Sequence, residues 1–147
     1  VDVRELLAGV VAAIPGAMEW VHVEAADCVV EAPPGVLRRI VGNLLENALR
    51  YGGGEPVTLR AEAGIAGCRI GVLDRGPGIP AAEREAVFRP FYRLEASRSV
   101  STGGSGLGLA IVRQLAAARG WTVELQDRPG GGLAAWLTLP PAPAGSP

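Results

Sequence analysis

The chain has 147 residues, of which 48% are hydrophobic and 20% are charged, and its formal net charge is −1 at pH 7. This length is typical of a single globular domain that can bury a core. The balanced charge excludes the basic surplus that non-specific binding to nucleic acid needs, and the sequence contains no signal peptide and no membrane span.

The first thirty residues predict a helix followed by two strands. Residues 3–13 are predicted to form the helix, and the apolar runs at 21–24 and 28–30 are typical of strands. His22, the only histidine of the chain, alternates with valines in the first of these strands. We therefore expect His22 to face solvent and not to act in catalysis.

The two cysteines, Cys28 and Cys68, are not spaced like metal ligands. The sequence has no C-x-x-C pair, and one histidine is too few to complete a zinc site. This pattern favours two small buried thiols in a reducing compartment.

The next predicted helix, residues 36–51, has one apolar and one polar face. It follows Pro33 and Pro34 and stops before the run Gly52-Gly53-Gly54. At the helical period of about 3.6 residues, one face gathers apolar side chains and must pack on a sheet: Leu37, Ile40, Val41, Leu44 and Ala48. The opposite face gathers polar or charged side chains in one stripe: Arg39, Asn43, Glu46, Asn47 and Arg50.

Asn43 and Asn47 distinguish this stripe from an ordinary solvated helix face. Asparagine is a mediocre helix former because its amide competes with the backbone, so two of them one turn apart weaken the helix. An amide oxygen is a hard, neutral ligand that suits Mg²⁺, an ion that keeps several waters and takes its other ligands from phosphates. The pair therefore indicates a Mg-ATP site on this face.

A first glycine cluster follows two further predicted strands, at 57–61 and 68–73, and reads Asp74-Arg75-Gly76-Pro77-Gly78-Ile79. We expect Gly76 and Gly78 to adopt positive φ and to let the backbone approach a ligand. At the strand end, Asp74 can accept a hydrogen bond from an exocyclic amine, which selects adenine over guanine. An ordinary Asp-Gly turn is the alternative, and this motif alone does not decide between them.

A second glycine cluster, Gly103-Gly104-Ser105-Gly106-Leu107-Gly108, leads into a predicted helix at 107–119 that Gly120 ends. Such a loop presents free N–H groups and the positive end of the helix dipole, a combination that binds phosphate. The spacing fits neither the dinucleotide fingerprint nor a P-loop, and without any lysine a side-chain cation on phosphate must be arginine. The buried side of the helix is predicted to be Leu107, Ile111, Leu115 and Ala118.

The last segments predict strands at 122–126 and 133–139, the first of them begun by Trp121, which packs against the sheet. The order of elements argues for an α/β (α+β) two-layer sandwich. In it, a mixed sheet of about five strands is covered on one face by three helices. The proline-rich residues 141–147 cannot form a core, so we predict a domain at 1–140 and a disordered tail.

Four blocks of the sequence resemble the motif boxes of sensor histidine kinases. Asn43-Leu44-Leu45-Glu46-Asn47-Ala48-Leu49-Arg50-Tyr51 resembles the N box, and residues 74–79 resemble the G1 box. Phe88-Arg89-Pro90-Phe91-Tyr92-Arg93 resembles the F box, in the Phe-x-Pro-Phe form of osmosensor-type kinases, and residues 104–112 resemble the G2 box. The blocks occur in the family's order and separation, within a similarity that runs from residue 1 to about residue 140.

This resemblance implies the Bergerat ATP-binding fold of the GHKL superfamily and a set of nucleotide-binding residues. Asn43 and Asn47 match positions that hold Mg²⁺ against the triphosphate, and Asp74 matches the aspartate that binds the adenine amine. Arg50 and Tyr51 match positions that contact phosphate and flank the base. The other matched positions are in the G1 and G2 boxes: Gly76, Gly78, Ile79, Gly104, Ser105, Gly106, Leu107 and Gly108.

The resemblance also implies a lid and a partner domain. Residues from about 83 to 105 match a mobile ATP lid, in which Arg93 faces the phosphates and acts in catalysis with the two asparagines. Arg98 matches less closely and is equally well a solvated lid residue. The phosphoacceptor histidine is expected on a separate dimerisation domain of a longer inner-membrane sensor. This chain is then the cytoplasmic part that donates the γ-phosphate, and a response regulator is served indirectly.

Two other functions remain open at this point. ATP hydrolases of the same superfamily have a glutamate at the position of Asn43 to activate water, so a hydrolase here would need Glu46, on the same face, as its base. A degenerate domain that only docks partners would not bind Mg-ATP at all.

Overall fold

The computed structural model describes residues 1–65, 67–90 and 108–140. Within them, three α-helices and five strands follow one another along the chain. The helices are α1 (Val3–Ala13), α2 (Pro34–Tyr51) and α3 (Gly108–Ala118). The strands are β1 (Val21–Ala25), β2 (Val57–Gly64), β3 (Gly67–Leu73), β4 (Thr122–Asp127) and β5 (Leu133–Leu139). Short 3₁₀ turns at Ala17–Glu19, Ala81–Glu83 and Ala86–Phe88 lie in the connections.

Local sequence explains where the helices begin and end. The Asp2 carboxylate caps α1 by accepting a hydrogen bond from the N–H of Glu5 at 3.3 Å. α2 begins at Pro34, where the missing N–H is tolerated in the first turn. α3 stops before Gly120, which adopts a left-handed φ of 71° and lets the N–H of Trp121 close the last turn.

The strands form one mixed five-stranded sheet, as predicted, and their order in it is β1-β2-β3-β5-β4. β1 and β2 run parallel and are joined through α2, whereas the other neighbours are antiparallel. The predicted strand at 28–30 is wrong, because Val29 forms only an isolated bridge with Asp2. After β1 the chain leaves the sheet and runs beside the first residues of the protein. There the N–H of Val3 donates to the carbonyl of Cys28, and the N–H of Val30 donates to the carbonyl of Val1.

All three helices pack on one face of this sheet, which confirms the two-layer α/β sandwich. On that face, alternate residues of the central strands are buried: Val57, Leu59 and Ala61 of β2, and Cys68, Ile70 and Val72 of β3. The apolar face predicted for α2 is buried in full and is extended by Leu45. Burying each leucine or isoleucine contributes about 1.5–3 kcal/mol, so α2 is anchored chiefly by this face.

The buried face predicted for α3 is wrong by about one position. Val112 and Ala116 are buried, whereas Ile111 is half-buried and Ala118 is exposed. Apolar residues occur on nearly every side of this helix, so helical periodicity alone does not select a face. Trp121, just beyond the helix, is buried in the core as predicted; Leu107 lies outside the described residues.

The other face of the sheet carries a small apolar cluster under a polar layer. Trp136 lies flat across Gly71, where a Cβ would come within 2.5 Å of the indole ring. The guanidinium of Arg69 stacks on that ring at 3.6 Å, and its Nε is 3.2 Å from Glu62. His22 is exposed on the same face beside Glu24, as predicted.

Cys28 and Cys68 are both buried, as predicted, and lie side by side in the fold with their Cα atoms 6.6 Å apart. The segment after β1 and the start of β3 meet only in the folded chain, and a sequence separation of 40 gives no sign of it.

Candidate nucleotide-binding site

The polar stripe of α2 lies where the sequence predicts it. Arg39, Glu46 and Arg50 are exposed, whereas Asn43 and Asn47 are half-buried. The Nδ2 of Asn43 donates to the Arg39 carbonyl at 2.8 Å, one turn back in the helix. This bond engages the amide nitrogen, and within the described residues Oδ1 of Asn43 accepts no hydrogen bond.

That acceptor faces the start of α3. A Cβ added at Gly108 would lie 3.6 Å from Oδ1 of Asn43. The N-box helix and the beginning of the G2 helix, 65 residues apart in the sequence, therefore border the same space. α3 is further tied to the segment before residue 91 by Arg113, which pairs with Glu85 and stacks on Phe88 at 4.0 Å.

The C-terminal end of α2 packs directly on the G1 loop, residues 74–79. A Cβ at Gly52 would lie 3.3 Å from Cβ of Asp74, and a Cβ at Gly76 would lie 2.4 Å from the Tyr51 carbonyl oxygen. The backbone at the end of α2 is therefore in direct contact with the backbone of the G1 loop, and a side chain at Gly52 or Gly76 would push the two apart. Gly78 has the predicted positive φ, at 74°, but Gly76 does not; its requirement for glycine is the close approach to Tyr51.

Asp74 is buried, with only 7% of its surface exposed, at the end of β3. Its Oδ1 accepts two backbone hydrogen bonds, from Gly76 at 2.9 Å and from Leu133 at 3.2 Å. Within the described part of the chain, Oδ2 accepts none. Burial raises the pKa of Asp74 above its ordinary value, and the two N–H donors and the nearby Arg128 oppose that rise.

The remaining site predictions divide between described and undescribed residues. Arg50 and half-buried Tyr51 end α2 beside the G1 loop, Ile79 is half-buried against the core, and Gly108 is the first residue of α3. The other predicted residues lie outside the described part of the chain: Arg93, Arg98, Gly104, Ser105, Gly106 and Leu107. For all of them, the roles in nucleotide binding stay predictions.

The turn between β4 and β5 was not predicted to take part in the site. This β4–β5 turn, residues 128–132, lies on the G1 loop: Nη1 of Arg75 donates to the carbonyls of Pro129 at 3.0 Å and Gly131 at 3.2 Å. A Cβ at Gly132 would lie 2.0 Å from the Asp74 carbonyl oxygen. The three glycines at 130–132 were the available sequence signal for this turn, but they do not indicate which loop the turn contacts.

A groove of about 390 Å³ also opens between α1 and α2. Its floor is formed by small and apolar residues of both helices, and its rim carries Arg38, Arg39 and Glu46. Asn43 lines it too, so this groove adjoins the amide end of the site.

Metal binding here would depend on amides and not on an acidic cluster. In residues 1–65, 67–90 and 108–140, no three His, Cys, Asp or Glu side chains are grouped to hold an ion. The same residues include no helix that has both the length and the apolar character to cross a membrane.

Comparison with known proteins identifies the arrangement. The family of histidine kinase-, DNA gyrase B- and HSP90-like ATPases matches residues 33–143, well over half of the chain. The chain belongs to this family. The predicted recognition is confirmed, and with it an ATP-binding domain whose relatives are sensor histidine kinases.

Similar curated proteins of this ATPase family are much longer than the chain. The sensor-type histidine kinase PrrB of Mycobacterium tuberculosis is 40% identical over 118 residues, which cover 80% of this chain and 26% of PrrB. Sensor histidine kinase CpxA of Escherichia coli is 42% identical over 112 residues, which cover 73% of this chain and 23% of CpxA. The chain therefore spans about a quarter of the length of these relatives.

Solved structures match over almost the whole chain. The mycobacterial sensor histidine kinase MprB is 30% identical, with a TM-score of 0.79 and coverage of 97% of both chains. The ATP-binding domain of PrrB from Mycobacterium tuberculosis is 32% identical, with a TM-score of 0.75 and coverage of 96% of this chain and 95% of the PrrB domain. The fold is thus that of the GHKL histidine kinase ATP-binding domains.

Proposed function

We propose that the chain binds Mg-ATP and donates the γ-phosphate to a histidine on a separate dimerisation and phosphoacceptor domain of the same parent protein. The parent is then a two-component sensor in the inner membrane, with this domain on its cytoplasmic side and a response regulator as indirect partner. The domain corresponds to residues 1–140. The predicted tail, 141–147, lies outside the described residues.

One observation supports this proposal most strongly: Asp74 is buried with one carboxylate oxygen saturated and the other free. Because Oδ1 already accepts two N–H groups, Oδ2 is the acceptor left for an incoming amine. The 6-amino group of adenine is such a donor, whereas the corresponding atom of guanine is a carbonyl oxygen that a carboxylate repels. A buried carboxylate in this state favours ATP over GTP.

The amide stripe supports the assignment of the triphosphate to the other end of the site. Within the described residues Oδ1 of Asn43 accepts no hydrogen bond, and it faces the first residue of α3, where helix N–H groups attract phosphate. Asn43 and Asn47 would hold Mg²⁺ through neutral oxygens, and the ion would neutralise charge on the transferring phosphate. Positioning is therefore the main contribution of this chain to the reaction.

The proposal is tested by nucleotide binding and by phosphotransfer. Isothermal calorimetry should detect Mg-ATP binding, weaker Mg-GTP binding, and a loss of about 10- to 100-fold in ATP affinity for Asp74→Asn. Asparagine keeps an acceptor for Gly76 and Leu133 and removes a costly buried charge, so this variant should fold at least as well as the parent chain. Unchanged ATP affinity in the variant would refute the assigned base contact.

Phosphotransfer separates the kinase from its alternatives. With labelled ATP, the phosphoacceptor domain of the parent protein should become labelled in trans, and the exposed His22 of this chain should not. Steady-state hydrolysis that Glu46→Gln abolishes would favour a hydrolase instead. No binding at millimolar Mg-ATP would favour a docking module.

A further inference from the structure

Two arginines cross between the β4–β5 turn and the segment formed by the end of β3 and the G1 loop. Arg75, next to Asp74, donates through Nη1 to the carbonyls of Pro129 and Gly131. In return, Nη1 of Arg128 donates to the carbonyl of Leu73 at 3.2 Å. Leu73 immediately precedes Asp74, so Arg128 holds the last peptide of β3 before the recognition carboxylate.

Arg128 is anchored at a second point, which fixes its own position. Its Nη2 donates to Oγ1 of Thr58 on the neighbouring strand β2, at 3.3 Å. Both hydrogen bonds are partly buried and span 55 and 70 residues of sequence. The guanidinium therefore bridges two adjacent strands at the edge of the site, in the forked geometry that arginine allows and lysine does not.

The residue that follows the β4–β5 turn supplies one of the two N–H groups that saturate Oδ1 of Asp74. That donor is Leu133, whose carbonyl in turn accepts from the N–H of Asp74 at 2.9 Å. Any movement of the turn away from the G1 loop would withdraw the Leu133 donor and leave Gly76 as the one N–H that holds Oδ1. With one donor lost, the carboxylate would be less firmly held in the orientation that leaves Oδ2 free.

The charges around Arg128 argue against a purely structural role. Burial, Arg75 and Arg60 all lower the pKa of Arg128, while Asp74 and Glu24 raise it. Glu24 is already hydrogen-bonded to Arg60 at 2.7 Å. Within the described residues Asp74 has no such bond to an arginine, so its charge favours a cation at Arg128, whereas Arg75 and Arg60 repel one.

We propose that Arg128, a residue outside all four motif boxes, is a positioning residue for purine recognition. It holds the end of β3 through the Leu73 carbonyl, and its charge favours the ionised carboxylate of Asp74, so that Oδ2 faces the amino group of adenine. This inference rests on the proposed function. It names the residue that determines how strictly the site prefers adenine to guanine.

The test compares the ratio of ATP to GTP affinity in Arg128→Gln, Arg128→Lys and the parent chain by calorimetry. Arg128→Gln should lower the ratio about tenfold, and Arg128→Lys should restore part of it because the charge is kept. Arg69→Gln is the matched control: it removes an arginine from the same sheet face that stacks on Trp136, and it should leave the ratio unchanged.

Two further measurements distinguish positioning from simple loss of stability. Combining Arg128→Gln with Asp74→Asn should lower the ratio no further than Asp74→Asn alone, because Arg128 acts through Asp74. The pH at which ATP affinity falls by half should move upward in Arg128→Gln, since a cation near the carboxylate is lost. Global destabilisation produces neither effect.

The outcomes separate this inference from the function on which it rests. If Asp74→Asn loses the preference for ATP and Arg128→Gln keeps it, the inference is overturned and the function stands. If Asp74→Asn itself keeps the preference, the base contact assigned to Asp74 fails, and the phosphotransfer assay then decides whether the kinase function stands. Should Arg128→Gln not fold, Arg128→Lys decides the question, because an unchanged ratio in that variant also overturns the inference.

Discussion

The two ends of the candidate site are built in different ways. At the purine end, Asp74 is buried and receives two backbone N–H groups, and its loop is packed against the α2 terminus and the β4–β5 turn. At the phosphate end, Asn43, Asn47 and Arg50 stand on an accessible helix face. Only Asn43 has a side-chain hydrogen bond there within the described residues, to its own helix.

This difference follows from what each end has to recognise. A neutral, flat base is selected by one hydrogen bond of correct polarity, which requires an acceptor held in place before binding. A triphosphate brings its own charge, and its metal brings much of its own coordination shell. We infer that the purine end is preorganised by the fold and that the phosphate end is completed by the ligand.

The largest effect is expected where the purine end would lose its packing. Gly132→Ala places a Cβ about 2.0 Å from the Asp74 carbonyl oxygen, so the β4–β5 turn must move. We expect a loss of about 2–3 kcal/mol in the free energy of unfolding, beyond that of its control, together with weaker ATP binding. Urea denaturation and calorimetry measure the two.

Gly131→Ala is the matched control for this change. Gly131 has a φ of 108°, close to the 109° of Gly132, but nothing lies within 4 Å of its added Cβ. The two variants therefore share the backbone strain and differ in the collision. Equal losses in both would show that close packing of the turn on the G1 loop is not needed.

A large effect on affinity is also expected from pH. Below its raised pKa, Asp74 binds a proton at Oδ2, because Oδ1 is occupied by two donors, and the free acceptor becomes a donor facing an amine. ATP affinity should then fall by up to about tenfold per pH unit as the pH drops through that pKa. Parallel titration of Asp74→Asn subtracts the protonation of the nucleotide itself.

Stability should respond to the same proton with the opposite sign. A carboxyl whose pKa is raised in the folded state stabilises the fold as the pH falls, because the folded state binds the proton more tightly than the unfolded chain. The contribution of Asp74 to the free energy of unfolding should therefore increase over the same pH range in which ATP affinity falls. The difference in the free energy of unfolding between the parent chain and Asp74→Asn isolates this contribution from Glu24 and Glu85, whose lowered pKa values make them lose stability as the pH falls. If that difference did not shift in favour of the parent chain as the pH falls, the titration of Asp74 would not explain the loss of binding.

A smaller, metal-specific effect is expected at the phosphate end. Asn43→Ala and Asn47→Ala should each lower Mg-ATP affinity by about tenfold while changing metal-free ATP binding little, since each removes one of the two proposed metal ligands. Asp74→Asn should lower both equally. Glu46→Gln is the control on the same helix face, and calorimetry with Mg²⁺ or with EDTA provides the comparison.

The smallest effect is expected at the exposed anchor of α3. Glu85→Gln removes the carboxylate that pairs with Arg113 but leaves the stacking of Arg113 on Phe88. Because an exposed pair is screened by water and salt, we expect a slight drop in the melting temperature that vanishes at high salt. A large drop that persists in salt would mean that the pair is an essential support of the helix.

Sequence periodicity predicted those elements whose polar and apolar sides are clearly separated. The apolar face of α2 was predicted residue by residue because Leu37, Ile40 and Val41 alternate with charged and amide residues. In α3 the same method chose Ile111 where Val112 is buried, because apolar residues surround that helix. The extended segment around Val29 was taken for a sheet strand because local pattern does not show what it pairs with.

The sequence by itself determined the layered fold, the asparagine face of α2 and the position of Asp74 at a strand end, since these follow from spacing along the chain. Only the tertiary structure decided which backbone groups saturate Asp74 and which arginines support it. Leu133 and Arg128 lie 59 and 54 residues beyond Asp74 in the sequence. Contacts of that range depend on which strands become neighbours, and β5 becomes the neighbour of β3 only when the sheet assembles.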